Sequence, residues 1–162
     1  MAEMKSLQFN IFADYFQFYI QDETAMGDLS QSWDEEASTR LLAFGPGVVG
    51  IGTVRNMDVP IALEVHDQEP ADDFSTWDHV VECDLTVVSG RIVIAGCTDY
   101  FPDAARIDVA PGEYRVRASY GALSKVSENG LDGEDHYRVQ LWRALPISSP
   151  RILKQRSVSP SL

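Results

Sequence analysis

The chain has 162 residues and 18.0 kDa, with 44% hydrophobic and 23% charged residues, which is the composition of one soluble globular domain and excludes wholesale disorder. Two cysteines are too few for a disulfide framework or a four-cysteine zinc site, and the longest apolar runs, about five residues, fall far short of the ~20 that a membrane-spanning helix needs. Twenty-five acidic residues face thirteen basic ones, a net charge of −12 that argues against direct binding to nucleic acid.

The dominant hydrophobic period is two, the signature of strands with one buried face. Leu7, Phe9 and Ile11 alternate with Gln8 and Asn10. Asp14-Tyr15-Phe16-Gln17-Phe18-Tyr19-Ile20 is rich in aromatic and β-branched residues and reads as a second strand, with Phe16, Phe18 and Ile20 facing inward. Ser32-Trp33-Asp34-Glu35 fits a capping box, and Ala37, Leu41 and Phe44 follow at helical spacing. The spacing predicts one short helix over 33–44, with Asp34, Glu35 and Glu36 at the positive end of its dipole. Val48 to Val54 is an apolar strand interrupted by Gly50 and Gly52, which implies a bulge or the close approach of another backbone. Val59, Ile61, Leu63 and Val65 alternate cleanly.

Residues 67–78 carry Asp67, Glu69, Asp72, Asp73 and Asp78 and read as an acidic loop, with Trp77 beside Asp78. Residues 80–97 read as a hairpin about a Ser89-Gly90 turn. That register sorts Val81, Cys83, Leu85, Val87, Ile92 and Ile94 onto one apolar face and puts Cys83 and Cys97 on opposite faces, so no disulfide between them is expected. Tyr114 to Tyr120 and Tyr137 to Trp142 complete the strand pattern. The last acidic residue is Asp135, and residues 143–162 carry Arg143, Arg151, Lys154 and Arg156 among serines and prolines. The expected organisation is a single acidic β domain over 1–142, at −16, and a basic, flexible C-terminal tail over 143–162, at +4. About eight strands and one short helix predict a mainly β fold, an antiparallel β-sandwich or partly open barrel.

Catalytic and cofactor chemistry finds little support. The glycines at 45–50 mimic a phosphate loop, but Pro46 removes a backbone donor and no βαβ unit surrounds them. His66, His79 and His136 each have an acidic neighbour in sequence, which 25 acids make commonplace. Neither Asp72-Asp73 nor Asp132-Gly133-Glu134-Asp135 matches a calcium loop, and no histidine spacing suits zinc. Neither a cofactor nor a metal is expected. Tyr15, Phe16, Phe18, Tyr19, Trp33, Trp77, Tyr100, Phe101 and Trp142 cannot all face one core. They imply a strand covered on both faces or exposed interface anchors.

Several of these segments together resemble the competence protein J family of small bacterial proteins, whose named member inhibits a DNA-entry nuclease. The segments are 14–20, Trp33-Asp34-Glu35, Gly47 to Gly52, Arg55-Asn56, Val59-Pro60-Ile61, Gly90-Arg91-Ile92 and Pro111-Gly112-Glu113-Tyr114-Arg115-Val116. The resemblance implies a protein that binds a nuclease and blocks it. Physical chemistry then supplies the surface: carboxylates that occupy a basic groove, with an aromatic anchor. Asp67, Glu69, Asp72, Asp73 and Asp78 with Trp77 are the first candidates, and Asp34, Glu35 and Glu36 the second. The expected partner is a basic protein, a nuclease, met in the cytoplasm, with no membrane and no direct nucleic-acid contact. The alternatives are a sandwich that binds a small ligand between its sheets and, less favoured, a histidine-dependent enzyme.

Overall fold

The computed structural model describes residues 4–157. Eleven strands form a two-layer sandwich: β1 (Met4–Phe12), β2 (Gln17–Asp22), β3 (Leu42–Gly45), β4 (Val48–Gly52), β5 (Asp58–His66), β6 (His79–Val87), β7 (Arg91–Gly96), β8 (Ala105–Asp108), β9 (Gly112–Gly121), β10 (His136–Arg143) and β11 (Arg151–Lys154). One sheet has the order β1-β5-β10-β9-β6-β11, the other β3-β4-β2-β7-β8. The mainly β sandwich matches expectation, with three strands more than the sequence suggested.

Between the sheets lies one continuous apolar core that includes Phe18, Ile20, Ile61, Leu63, Val81, Leu85, Ile92, Ile94, Val139 and Leu141. Phe18, Tyr120 and Tyr137 meet edge to face at its centre, with ring centroids 5.9–6.1 Å apart.

The segment 80–97 departs from its expected form. β6 pairs with β9 and β11 in one sheet, whereas β7 pairs with β2 and β8 in the other. The two strands therefore form an arch across the sandwich rather than a hairpin. The sorting of side chains was right: Val81, Cys83, Leu85, Val87, Ile92 and Ile94 all enter the core. Two strands with matching apolar faces can lie side by side or face to face, and the arch buries both faces against each other. Asp22 clamps the bend. Its Oδ1 accepts from the amides of Val88 and Ser89, each at 2.9 Å, and from the Ser89 hydroxyl at 2.8 Å. Both cysteines are free, Cys83 buried and Cys97 exposed.

Three boundaries also differ. The second strand begins at Gln17, because Asp14–Phe16 forms a 3-10 turn and Phe16 points to solvent. The helix, α1, covers only Glu35–Arg40. Asp34, not Ser32, is its N-cap, accepting from the Ala37 amide at 2.8 Å, and Leu41 ends it in the left-handed conformation. Gly50 accommodates the Leu29 and Trp33 side chains, and Gly52 faces the Leu41 backbone. The close approach inferred for β4 is real, and side chains supply half of it. Finally, the segment expected to lack regular structure contributes β11, which pairs with β6. Residues 158–162 of that tail lie outside the described residues.

Candidate functional site

The acidic loop is a crossover. β5 and β10 are parallel, and β9 is antiparallel to both β10 and β6. β5 and β6 therefore run in the same direction, and the chain between them must return along the length of the sheet. Residues 67–78 make this return over the sheet's outer face. Two arginines from the strands beneath hold the crossover down. Arg138 of β10 binds Asp73 through both terminal nitrogens, at 2.6 and 2.7 Å. Arg117 of β9 donates to the Pro70 carbonyl at 3.2 Å and to Glu82 at 2.8 Å. Its guanidinium is sandwiched between the Phe74 and Trp142 rings, at 5.2 and 4.9 Å. Trp142 is thereby buried on the outer face while Leu141 and Val139 are buried on the inner one. β10 is the strand covered on both faces that the aromatic count implied.

This geometry distributes the expected site residues. Asp67 and Asp78 lie at opposite ends of the sheet, roughly 25 Å apart at about 3.3 Å per strand residue. Glu69 and Asp72 are exposed on the crossover. Asp73 is neutralised within the molecule. The Arg138 hydrogen bonds, working against burial, hold its carboxyl below the usual carboxylate range. Asp78 accepts from the Leu123 amide at 2.9 Å. Trp77 is half-buried, with Arg138 stacked over it at 4.7 Å and the His136 ring 5.2 Å away. In α1, Asp34 is spent on capping, while Glu35 and Glu36 are exposed. The end of α1 meets the first sheet where β6 begins. There His79 Nε2 lies 2.6 Å from the Arg40 carbonyl and Tyr120 donates its hydroxyl proton to the Leu41 carbonyl.

The end of the sandwich at which β2, β6 and β10 begin and β1, β4, β7 and β9 finish gathers most of the long connections. They are the 13–16 turn, α1, residues 53–57, the last part of the crossover, residues 97–104 and the 122–135 loop. Two buried polar links tie this rim to the core. Arg55 and Asp135 pair at 2.8 Å with almost no exposure. Tyr137 donates to Asp135 at 2.7 Å and accepts from the Val54 amide at 3.0 Å. Removing one member of such a buried pair costs about 3–5 kcal/mol, because the other charge is left uncompensated.

Each of the three histidines has a partner within the fold. His66 pairs with Glu64 at 2.8 Å at the far end of β5. His79 is fully buried: its Nδ1 accepts from the Arg156 amide at 3.1 Å while Nε2 donates to Arg40, which fixes the neutral tautomer. His136 faces the Glu134 carbonyl and the Trp77 ring. Burial raises the Cys83 thiol far above its ordinary range, and burial, reinforced by Asp14, raises Cys97. Both are poor nucleophiles.

Arg117 and Arg138, the residues that organise the outer face, escaped sequence reading. Their only local signal is alternation with Val116, Val139 and Leu141, which reads as a solvated face until the crossover is laid over it.

No family model matches the chain, and no curated protein does. Two solved structures share its fold. ComJ from Bacillus subtilis, an inhibitor of the DNA-degrading activity of NucA, superposes with a TM-score of 0.65 at 17% identity, covering 89% of this chain and 99% of its own. The protein of crocagin biosynthetic gene J superposes with a TM-score of 0.55 at 12% identity, covering 88% of this chain and 98% of its own. The resemblance to the competence protein J family thus holds at the level of the fold, over nearly the whole chain.

Proposed function

We propose that this chain is a non-catalytic inhibitor of a nuclease, which it blocks by setting carboxylates against the enzyme's basic DNA-binding surface. The observation that carries the reading is the shared fold with ComJ, over 89% of this chain and 99% of ComJ. The charge supports it. A surface at −12 overall competes with DNA phosphate for the same cations and accelerates encounter with a basic partner. Exposed Glu69 and Asp72 on the crossover, with Asp67 at its start, are the first contact candidates, and Glu35 and Glu36 of α1 the second. Asp34, Asp73, Asp78 and Trp77 contribute by holding that surface in shape. The meeting place in this reading is the cytoplasm.

The test is titration of purified full-length protein into a DNA-cleavage assay, using the nuclease that it retains from source-cell lysate at low salt. Inhibition should saturate at a fixed stoichiometry and weaken as salt rises. Retention of no nuclease, or of one that cleaves at an unchanged rate when saturated with this protein, would remove the proposal.

A further inference from the structure

The tripeptide Asp-Tyr-Phe occurs twice, at 14–16 and at 99–101, and the fold sets the two copies at the same rim. β2 and β7 are antiparallel neighbours with Phe18 opposite Gly96. The first copy immediately precedes β2 and the second closely follows β7, so both project from the same end of that strand pair. The Phe12 carbonyl packs directly against Gly96, a position with no room for a Cβ. Burial, reinforced by Asp14 of the first copy, raises the Cys97 thiol, and burial, reinforced by Cys97 and Asp99, raises the Tyr19 hydroxyl.

Three rings of these triplets are bare. Tyr15 is 71% exposed, Tyr100 70% and Phe16 53%, more than any other aromatic side chain among the described residues. Their display is built in. Tyr15 and Phe16 both have left-handed backbones, at φ 60 and 58, which aromatic residues adopt only under constraint. Hydrogen bonds supply the constraint. The Phe16 amide donates to the Ala13 carbonyl at 3.1 Å and to Asn56 Oδ1 at 3.2 Å, and the Phe16 carbonyl accepts from the Thr53 amide at 2.8 Å. On the second copy Asp99 accepts from the Gly96 amide at 2.8 Å, and the Asp103 amide donates to the Tyr100 carbonyl at 2.9 Å.

The rest of the molecule indicates what these rings would accept. Five other rings of this chain are stacked by an arginine of its own: Phe44 by Arg40, Phe101 of the second triplet by Arg106, Phe74 and Trp142 by Arg117, and Trp77 by Arg138. Among the described residues no cation stacks on Tyr15, Phe16 or Tyr100, and Asp14, Asp99 and Asp103 form no ion pair. Segments 12–16 and 97–103 contain three acids and no base. Beside the first triplet runs a cleft of 320 Å³ towards α1, bounded by Trp33, Ser38 and Leu41, wide enough for an aliphatic stem.

We propose that the two Asp-Tyr-Phe triplets form one docking surface for an arginine-bearing segment of a partner protein, whose guanidinium groups stack on Tyr15, Phe16 and Tyr100 and pair with Asp14, Asp99 and Asp103. Arginine suits both parts of the surface: its flat cation stacks on rings, and its fork binds carboxylates. The negative rim disfavours phosphate-bearing occupants. That the partner is a nuclease rests on the function proposed above; the surface itself does not.

A benzophenone side chain placed at position 15, 100, 72 or 35 of the full-length protein tests the location. Crosslinks from both 15 and 100 to one arginine-containing segment of a single protein are expected, together with at least a tenfold loss of affinity for that protein in Tyr15→Ala and Tyr100→Ala. Asp103→Lys, at an exposed side chain, should weaken binding without affecting folding, which a thermal melt checks. Crosslinks confined to 72 or 35 would overturn the docking surface and leave the nuclease reading standing. The expected crosslinks to a protein that cleaves no DNA would support the surface and remove the nuclease. Crosslinks at no position, or to a segment without arginine, would overturn the proposal.

Discussion

Asp22 is 2% exposed, yet it carries a full charge. Burial acts to raise its pKa, but hydrogen bonds from Thr24, Ser89 and the Val88 amide outweigh burial and bring it down to about 2. The ordinary value is 3.8. A lowered carboxylate stabilises the fold fully above the unfolded value, and that contribution is lost as pH falls from about 4 towards 2. The shift is worth about 2 kcal/mol. Asp22→Asn should therefore lower unfolding free energy at neutral pH by about 1–2 kcal/mol, and the gap between the two proteins should narrow in denaturant melts as pH is lowered from 4 to 2. A gap of constant size would mean that the clamp on the β6–β7 arch does not depend on the charge.

β11 is the weakest element by construction. It is four residues long, lies at a sheet edge, and joins β6 through an irregular register. Side-chain bonds compensate. Asp84 accepts from the Ile147 and Ser148 amides, Arg115 donates to the Leu145 carbonyl, and Lys154 donates to the Phe74 carbonyl. The last fastening is His79, whose neutral Nδ1 accepts from the Arg156 amide. Burial, reinforced by the Arg156 charge and opposed by the Arg40 carbonyl, lowers the His79 pKa from 6.5. A base with a lowered pKa leaves the fold unpenalised above 6.5, and stability is lost as pH falls below that value, because only the open form takes up the proton readily. Amide exchange in residues 151–156, corrected for intrinsic rates, should lose protection as pH drops from 7 to 5, ahead of β9 and β10. Loss at the same rate throughout the sheet would show that β11 does not open as a separate unit.

At the scale of the whole molecule, charge governs encounter and shape governs fit. The acids are spread over the crossover, α1 and the rim, so no single carboxylate should dominate. Reversing two exposed ones, Glu69→Lys with Asp72→Lys, shifts the charge of one face by four units. If the proposed nuclease is the partner, association with it should slow by about tenfold at low salt and hardly change at high salt, with little effect on dissociation. Rapid-mixing kinetics at two salt concentrations would measure this, and an unchanged rate at low salt would move the contact away from the crossover.

Alternation along the strands determined the fold class, the core-facing residues within them, and the shared apolar face of β6 and β7, while Phe16, just before β2, escaped it. Side-chain direction follows from local backbone geometry, and the period of two needs no knowledge of neighbours. The negative charge and the aromatic surplus were equally legible. Strand partners were not, because an apolar face is satisfied equally by a hairpin and by an arch, and only the competition among all eleven strands selects one. The same holds for the acidic loop. Its sequence specifies carboxylates, but the parallel course of β5 and β6 forces it across the sheet, where Arg138 takes Asp73 and Trp77 is covered, leaving Glu69 and Asp72 outside. The juxtaposition of Tyr15, Phe16 and Tyr100 is likewise a product of tertiary structure, since about eighty residues separate the two triplets and only the β2–β7 pairing brings their ends together.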